Sequence, residues 1–178
     1  MNKKIAIFGG TFDPIHKAHL EIIKKLFLNL NIDKVIVIPT NVSYYKKNNQ
    51  MFTYDERIKI CRLAINNDEY LKNKEIEISD IERNIDENEG YSHTLIKLKS
   101  LYNDDILYTV IGSDSYNYIN TWRNYEDIIK NSKLVVVTRP NNIIDESINI
   151  LYDEIKLNDS ISSTKIRNDI EKYILSNI

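Results

Sequence analysis

Apolar positions along the chain fall into two patterns that alternate from one end to the other. Short runs rich in β-branched residues are typical of strands, and an uninterrupted run is what a parallel strand covered on both faces requires. Five such runs occur, the third of them alternating apolar and polar residues: Ile5–Phe8, Val35–Pro39, Glu75–Ile81, Ile106–Gly112 and Leu134–Thr138. The pattern therefore predicts five strands spread over most of the chain.

Helical spacing fills the intervals between these runs. Apolar residues from Leu20 to Leu30 recur three and four positions apart, which predicts an amphipathic helix. Thr53–Glu56 has the form of a capping box and predicts a helix that continues to Ile65. Further helices are predicted over Thr94–Tyr102, Trp122–Asn131 and Ser163–Leu175. Strand and helix in alternation predict an α/β fold, a Rossmann-like doubly wound and mainly parallel sheet with helices on both faces, in a single domain over residues 1–178.

Composition narrows the classes of function that fit this fold. The 178 residues have a formal net charge of -2, which argues against a broad nucleic-acid-binding surface. Cys61 is the one cysteine in the sequence, so an intrachain disulfide is excluded. The first apolar run is too short to cross a membrane or to serve as a signal peptide. We therefore expect a cytoplasmic protein that binds neither nucleic acid nor membrane.

The segment GGTFDPIHKAH, Gly9–His19 and hereafter the first motif, holds more chemistry than a turn between strand and helix needs. In a doubly wound sheet, ligands bind beyond the carboxyl ends of the strands, and this segment follows the first strand. Its two glycines allow backbone amides to approach a ligand, and the following helix directs its free N–H groups to the same place. His16 and His19 lie three positions apart and are expected on one face of the first helical turn. The segment predicts a phosphate site, although it fits neither the Rossmann GxGxxG nor the Walker spacing.

The first motif resembles the first signature of the nucleotidyltransferase superfamily that is marked by a T/HxGH element. The segment ISSTKIR, Ile161–Arg167 and hereafter the second motif, resembles the second signature of that superfamily. Its SST followed by IR is similar to the nicotinate/nicotinamide mononucleotide adenylyltransferases. Ile111–Pro140 resembles the GxDS…W…E…RP block of that family, and Ile38–Lys47 lies where the family has an IPxxxPPHK loop. The resemblance therefore covers nearly the whole chain.

The resemblance implies a direct reaction between two nucleotides. The 5′-phosphate of nicotinate mononucleotide would attack the α-phosphorus of ATP, giving nicotinate adenine dinucleotide and pyrophosphate in a late step of NAD biosynthesis. Such a transfer depends mainly on positioning and charge stabilisation, which fits a chain without an evident activated nucleophile. Mg²⁺ is implied as the companion of ATP, with no dedicated protein cage. Association into a homo-oligomer is left open.

The same resemblance assigns roles to individual residues. Those implied in catalysis are His16, His19, Lys46 and Arg167. Those implied in ATP binding are Gly9, Gly10, Thr11, Phe12, Asp114, Arg139, Ser162, Ser163 and Thr164. Those implied in binding the acceptor are Tyr91, Thr94 and Trp122, with the tryptophan ring stacking on the pyridine.

Three of these residues, and Asp13 of the first motif, could have a purely structural role. Trp122 could merely cover the start of a helix, and Lys46 could belong to a solvated loop. A hydroxyl such as that of Ser163 is also common as a helix cap. Asp13 in the first motif is as compatible with a local turn that supports Pro14 as with a ligand contact.

The chain departs from the family pattern at three places. Ala18 stands where the family has the glycine of HxGH, and its methyl group crowds whatever packs there, normally adenine. The loop reads Ser43–Lys46 without the histidine and prolines, and Tyr91 stands where a threonine is expected. These departures bear on the identity of the acceptor more than on ATP.

Two alternative functions follow from the same residues. The chemistry could act on another phosphate acceptor, such as nicotinamide mononucleotide or phosphopantetheine, or the chain could be a nucleotide sensor without turnover. His16 and the SST-x-IR ending argue against phosphopantetheine. Both histidines, Asp114 and Arg167 are present, which argues against a sensor, because decay usually removes such residues first.

Overall fold

The computed structural model describes residues 2–41, 50–86, 89–140, 142–158 and 163–176. Six parallel strands form one sheet: β1 Lys4–Gly10, β2 Lys34–Pro39, β3 Ile76–Ile78, β4 Ile106–Gly112, β5 Lys133–Thr138 and β6 Tyr152–Lys156. Their order across the sheet is β3-β2-β1-β4-β5-β6, and every pair of neighbours is parallel. This is the strand order of a doubly wound Rossmann-like sheet, so the predicted fold class is confirmed.

The helices between the strands are α1 Lys17–Leu30, α2 Tyr54–Asn66, α3 Gly90–Leu101, α4 Ser113–Tyr116 and α5 Tyr125–Asn131, and α6 Ser163–Ser176 follows the last strand. Short 3-10 helices occupy Leu71–Asn73 and Ile119–Thr121. The predicted capping box opens α2, since Thr53 N–H donates to Glu56 Oε2 at 2.8 Å and Glu56 N–H donates to Thr53 Oγ1 at 3.4 Å.

Two apolar clusters cover the two faces of the sheet. Alternate residues of β1 point to opposite faces, so that Ala6 belongs to the cluster with α1 and α2, while Ile7 belongs to the cluster with α3 and α5. Both faces of the central strands are therefore buried, which is why β1, β2, β4 and β5 appear in the sequence as continuous apolar runs.

The structure differs from the predicted elements at four places. β3 is shorter than predicted, and β6 was missed because four of its five residues are exposed at the edge of the sheet. α3 begins at Gly90, four residues earlier than predicted. The predicted helix Trp122–Asn131 begins only at Tyr125, because Asn124 takes a left-handed conformation with φ 52° and interrupts it. Trp122 therefore lies between two short helices and not on one.

Candidate active site

The site lies where the direction of the strand order reverses, between β1 and β4. From these adjacent strands the chain winds in opposite directions across the sheet, which leaves a crevice beyond their carboxyl ends. The first motif follows β1, Asp114 follows β4 and Arg139 follows β5. Because these strands are parallel, three distant parts of the sequence meet at the carboxyl end of the sheet.

A cleft of about 200 Å³ occupies this crevice. We call it the switch-point cleft, and its lining includes His19, Ile22, Gly112, Asp114, Val137 and Arg139. Three residues predicted to contact ATP or to act in catalysis thus share one cavity. They supply an imidazole, a carboxylate and a guanidinium, a combination suited to a ligand that carries both phosphate and hydroxyl groups.

His19 is held in one orientation by its neighbours. The N–H of His16 donates to Nδ1 of His19 at 3.2 Å, and the ring of His16 stacks on that of His19 with 3.8 Å between their centroids. The ring of Phe12 meets His19 edge-on at 5.0 Å. Because Nδ1 accepts a hydrogen bond, the neutral imidazole carries its proton on Nε2. His16 itself precedes the first turn of α1 in extended conformation, so the two rings meet by stacking and not by sharing a helical face.

The electrostatic surroundings keep His19 uncharged. Burial, followed by the neighbouring His16 and Arg139, lowers its pKa from 6.5 to about 3. His19 is therefore a neutral hydrogen-bond donor at physiological pH as long as the cleft holds no anion. A polyphosphate in the cleft would favour the protonated form, since negative charge nearby raises the pKa of an imidazole.

Two glycines leave room for neighbouring side chains around the cleft. At Gly10 a Cβ atom would lie 3.1 Å from the ring of Phe12, which folds back over it. At Gly112 a Cβ atom would lie 2.5 Å from Oδ1 of Asp114 and would displace that carboxylate. Phe12 takes an uncommon positive φ of 46°, and its side chain is buried in the core. The ring of Phe12 is thus part of the core that supports the cleft.

The second motif meets the first through Arg167. Nη1 of Arg167 donates to the carbonyl of Asp13 at 2.6 Å and lies 3.5 Å from Oδ2 of the same residue. Its Nη2 donates to Oγ1 of Thr164 at 3.1 Å, and Thr164 is exposed. α6 begins at Ser163, whereas Ser162 lies outside the described residues. The structure therefore brings Arg167 of the second motif against the first motif, and Thr164 bonds to the same guanidinium.

The carboxylate of Asp13 does not form the local turn at Pro14 that the sequence suggested. Its two oxygens accept the N–H groups of Met51 and Phe52, both at 2.9 Å, and the side chain is 1% exposed. Arg57 of α2, which the sequence analysis missed, donates from Nη1 to the carbonyls of Thr11 and Thr40. These contacts span 17 to 46 positions, and no local pattern in the sequence indicates them.

The three residues implied in binding the acceptor lie on the face of the sheet that α3 and α5 cover, opposite to α1. The Tyr91 hydroxyl bonds to Thr109 Oγ1 at 2.9 Å, and the Thr94 hydroxyl donates to the buried Glu82 carboxylate at 3.2 Å. Trp122 is half-buried and meets Tyr91 edge-on, with 6.1 Å between centroids. The structure groups Tyr91 with Trp122, while the Thr94 hydroxyl faces Glu82. Lys46 lies outside the described residues.

A second groove of about 380 Å³ adjoins the first turn of α1. We call it the Ala18 groove; Lys17, Ala18 and Glu21 line one wall, and Leu157 and Asn158 after β6 line the other. Within the described ranges, no three His, Cys, Asp or Glu side chains are grouped so that they could hold a metal ion. Nor does any helix in those ranges have the length and apolar character needed to cross a membrane.

Comparisons with known proteins agree with this geometry. The cytidylyltransferase-like family matches residues 7–169. A protein of Fusobacterium nucleatum named "Probable nicotinate-nucleotide adenylyltransferase" is 37% identical over 94% of this chain and 88% of its own length. A Campylobacter fetus protein of the same name is 34% identical over 94% and 87%. Among solved structures, the Plasmodium falciparum nicotinic acid mononucleotide adenylyltransferase complexed with NaAD is similar, with a TM-score of 0.77 and 25% identity over 96% of this chain and 90% of that one.

Proposed function

The chain belongs to the nicotinate-nucleotide adenylyltransferase family of cytidylyltransferase-like proteins, and on that premise we propose that it transfers the adenylyl group of ATP to nicotinate mononucleotide. An oxygen of the acceptor's 5′-phosphate attacks the α-phosphorus, and the bond from that phosphorus to the oxygen bridging to the β-phosphate breaks. The products are nicotinate adenine dinucleotide and pyrophosphate. The reaction is a late step of NAD biosynthesis.

One observation carries this proposal. The switch-point cleft holds an oriented neutral imidazole beside the guanidinium of Arg139 and the carboxylate of Asp114. His19 donates from Nε2 to the α-phosphoryl oxygens, where negative charge develops during the transfer. A donor fixed before the reaction stabilises that charge without paying for reorientation. No covalent enzyme intermediate is needed, since the chemistry passes between the two nucleotides.

The remaining phosphates of ATP lie between the two motifs. The free N–H groups at the start of α1 and α6 and the positive ends of both helix dipoles favour anions there. We assign Gly9, Gly10 and Thr11 to backbone contacts with these phosphates, together with the backbone of Phe12. The β- and γ-phosphates are assigned to Ser162, Ser163, Thr164 and Arg167, and His16 contacts the triphosphate beside His19.

The nucleoside of ATP is assigned to the neighbouring surfaces. Asp114 accepts a hydrogen bond from a ribose hydroxyl, because a carboxylate is an acceptor on both oxygens. The adenine packs in the Ala18 groove, where the methyl group of Ala18 replaces the hydrogen of the family's glycine. Arg139 flanks the nucleotide from the end of β5.

The acceptor lies across β4 from ATP. The half-buried ring of Trp122 offers an apolar face to the pyridine, and Tyr91 supports that ring from behind. Thr94 borders the same region, and Lys46 is assigned to the acceptor phosphate by its place in the loop. Mg²⁺ enters with ATP, whose phosphate oxygens are its preferred ligands. The described residues include no acidic cluster that fits a separate Mg²⁺ site on the protein.

The proposal is tested by measuring pyrophosphate release from ATP and Mg²⁺ with three acceptors side by side. We expect rapid release with nicotinate mononucleotide and much slower release with nicotinamide mononucleotide or phosphopantetheine. Faster release with either of the latter would overturn the proposed acceptor but keep the chemistry. Binding of ATP without release for any of the three would overturn the proposed reaction.

A further inference from the structure

Arg57 occupies a position in α2 where an apolar side chain would be expected. The residue is 0% exposed, and its helix packs against the sheet through Ile58, Cys61 and Ile65. Burial lowers the pKa of its guanidinium, whereas the negative charge of Asp13 opposes that shift. A buried arginine costs free energy unless its donors find partners. Its contacts therefore indicate what the sequence gains from a charge at this position.

A single nitrogen of Arg57 joins two loops at the carboxyl edge of the sheet. Nη1 donates to the carbonyl of Thr11 at 2.6 Å and to the carbonyl of Thr40 at 2.9 Å. Thr11 lies in the first motif after β1, and Thr40 directly follows β2. Nε and Nη2 have no hydrogen-bond partner among the described residues. Both hydrogen bonds of the guanidinium therefore go to backbone carbonyls.

The carbonyl of Thr11 is close to the reacting chemistry. It belongs to the peptide unit that leads into Phe12, the residue with φ 46°. The ring of Phe12 in turn meets the ring of His19 at 5.0 Å. A backbone in the left-handed region persists only where its surroundings hold it. The bond from Arg57 to Thr11 therefore fixes the peptide plane on which the orientation of Phe12, and through it of His19, depends.

A reciprocal contact strengthens this attachment. Asp13 of the first motif accepts the N–H groups of Met51 and Phe52, which lead directly into the capped start of α2. The first motif thus holds the beginning of α2, and Arg57 of α2 holds the first motif. Two contacts that run in opposite directions between the same elements resist rotation as well as separation.

We propose that Arg57 is a positioning residue for adenylyl transfer, which acts by locking the Thr11–Phe12 peptide behind His19. The inference rests on the proposed function, because it names a determinant of that same reaction. Arg57 touches neither nucleotide. Its effect reaches the reaction through the backbone of the first motif and the ring of Phe12.

The test compares Arg57→Lys and Arg57→Met with Arg62→Lys and Arg62→Met, since Arg62 is exposed on the same helix. Lysine keeps the charge, but its ammonium ends one atom nearer the backbone than Nη1 of arginine and so falls short of the two carbonyls. We expect Arg57→Lys to remain folded and to lose at least tenfold in kcat, with less than a twofold change in KM for nicotinate mononucleotide. Arg57→Met should lose more, and both Arg62 variants should match the wild type.

An NMR titration of the imidazole of His19 gives a second readout that needs no acceptor. In Arg57→Lys the pKa of His19 should move from its lowered value towards 6.5, because the ring is no longer held in its buried position. The backbone amide signal of the third histidine, His93 on α3, should not move and serves as the internal control. A merely structural role would lower the melting temperature and leave both kcat per folded molecule and the His19 titration unaltered.

Three outcomes would overturn the proposal. They are a kcat for Arg57→Lys within twofold of the wild type, an unchanged titration of His19 in that variant, and failure of both Arg57 variants to fold, which would assign Arg57 to stability alone. If the wild type transferred no adenylyl group, the proposed function would fail, whereas the titration would still report whether Arg57 positions His19.

Discussion

Two groups of polar side chains, on opposite faces of the sheet, are arranged in different ways. At the switch-point cleft, His19 accepts one hydrogen bond from backbone and keeps Nε2–H as a donor, and Asp114 stands exposed above Gly112. On the face covered by α3 and α5, the hydroxyls of Tyr91 and Thr94 bond to Thr109 and Glu82. The first group leaves polar atoms open to the cleft, whereas the second forms a rigid support inside the protein.

The support on the face covered by α3 and α5 is a chain of hydroxyl groups whose hydrogen bonds all run in one direction. Ser132 donates to the carbonyl of Ile128 at 2.9 Å, so its oxygen accepts from Thr109 at 2.6 Å. Thr109 must then accept from Tyr91, whose hydroxyl is the head of the chain. The chain ties α3 to β4 and α5, and it fixes the ring of Tyr91 beneath Trp122. The Tyr91 side chain thus supports the ring of Trp122 from behind.

Replacing His19 should have the largest effect on this comparison. We expect His19→Ala to lower kcat by about 10²–10³, the usual cost of losing one donor aimed at developing charge. The affinity for ATP and the melting temperature should change little. Steady-state kinetics and a thermal melt check this, with His93→Ala as the control that removes an imidazole away from the cleft. A folded His19→Ala with turnover near that of the wild type would remove His19 from the mechanism.

Replacing Trp122 should affect the acceptor alone. We expect Trp122→Ala to raise KM for nicotinate mononucleotide about tenfold, since a stacking contact contributes about 0.5–1.5 kcal/mol beyond the area it buries. KM for ATP should stay the same, and Trp122→Phe should recover most of the loss because it retains a ring. An equal rise in both KM values would show that Trp122 supports the whole cleft.

The lowered pKa of His19 predicts a dependence of stability on pH. Between pH 6.5 and about 3 the unfolded chain binds a proton at this residue that the folded chain does not. The free energy of unfolding should therefore fall as the pH drops through this window, by at most about 1.4 kcal/mol per pH unit for one proton. Urea unfolding of the wild type and of His19→Gln across this range tests it, and the variant should show the weaker dependence. Equal slopes would mean that His19 titrates normally in the folded protein.

The smallest effect is expected for the hydroxyl of Tyr91. Tyr91→Phe removes the head of the hydroxyl chain but keeps the ring under Trp122, so it should cost about 0.5–1.5 kcal/mol of stability. KM for the acceptor should stay within twofold of the wild type. Tyr118→Phe, which removes an exposed hydroxyl, is the matched control for the unfolding measurement. A large rise in KM at unchanged stability would instead place the Tyr91 hydroxyl on the acceptor.

The predictability of each element followed its burial. β1, β2, β4 and β5 are covered on both faces and were visible as apolar runs, whereas β6 at the edge has a single buried residue, Ile155, and left no such run. The family was predicted from the resemblance of the two motifs, and the comparisons confirmed it. The roles of the individual site residues remain predictions. Asp13 and Arg57 could not have been placed from the sequence, because their partners are backbone groups of distant loops.

The sequence by itself determined the alternation of strands and helices and the resemblance of the first motif to a family signature, since both depend on residues close together along the chain. Only the tertiary structure decided which polar groups line the switch-point cleft and which form hydrogen bonds within the protein. Asp13 and Tyr91 belong to segments that resemble binding motifs, yet their oxygens bond to Met51, Phe52 and Thr109. The physical reason is that a buried polar group must find a partner wherever the fold supplies one, and that partner is set by three-dimensional packing.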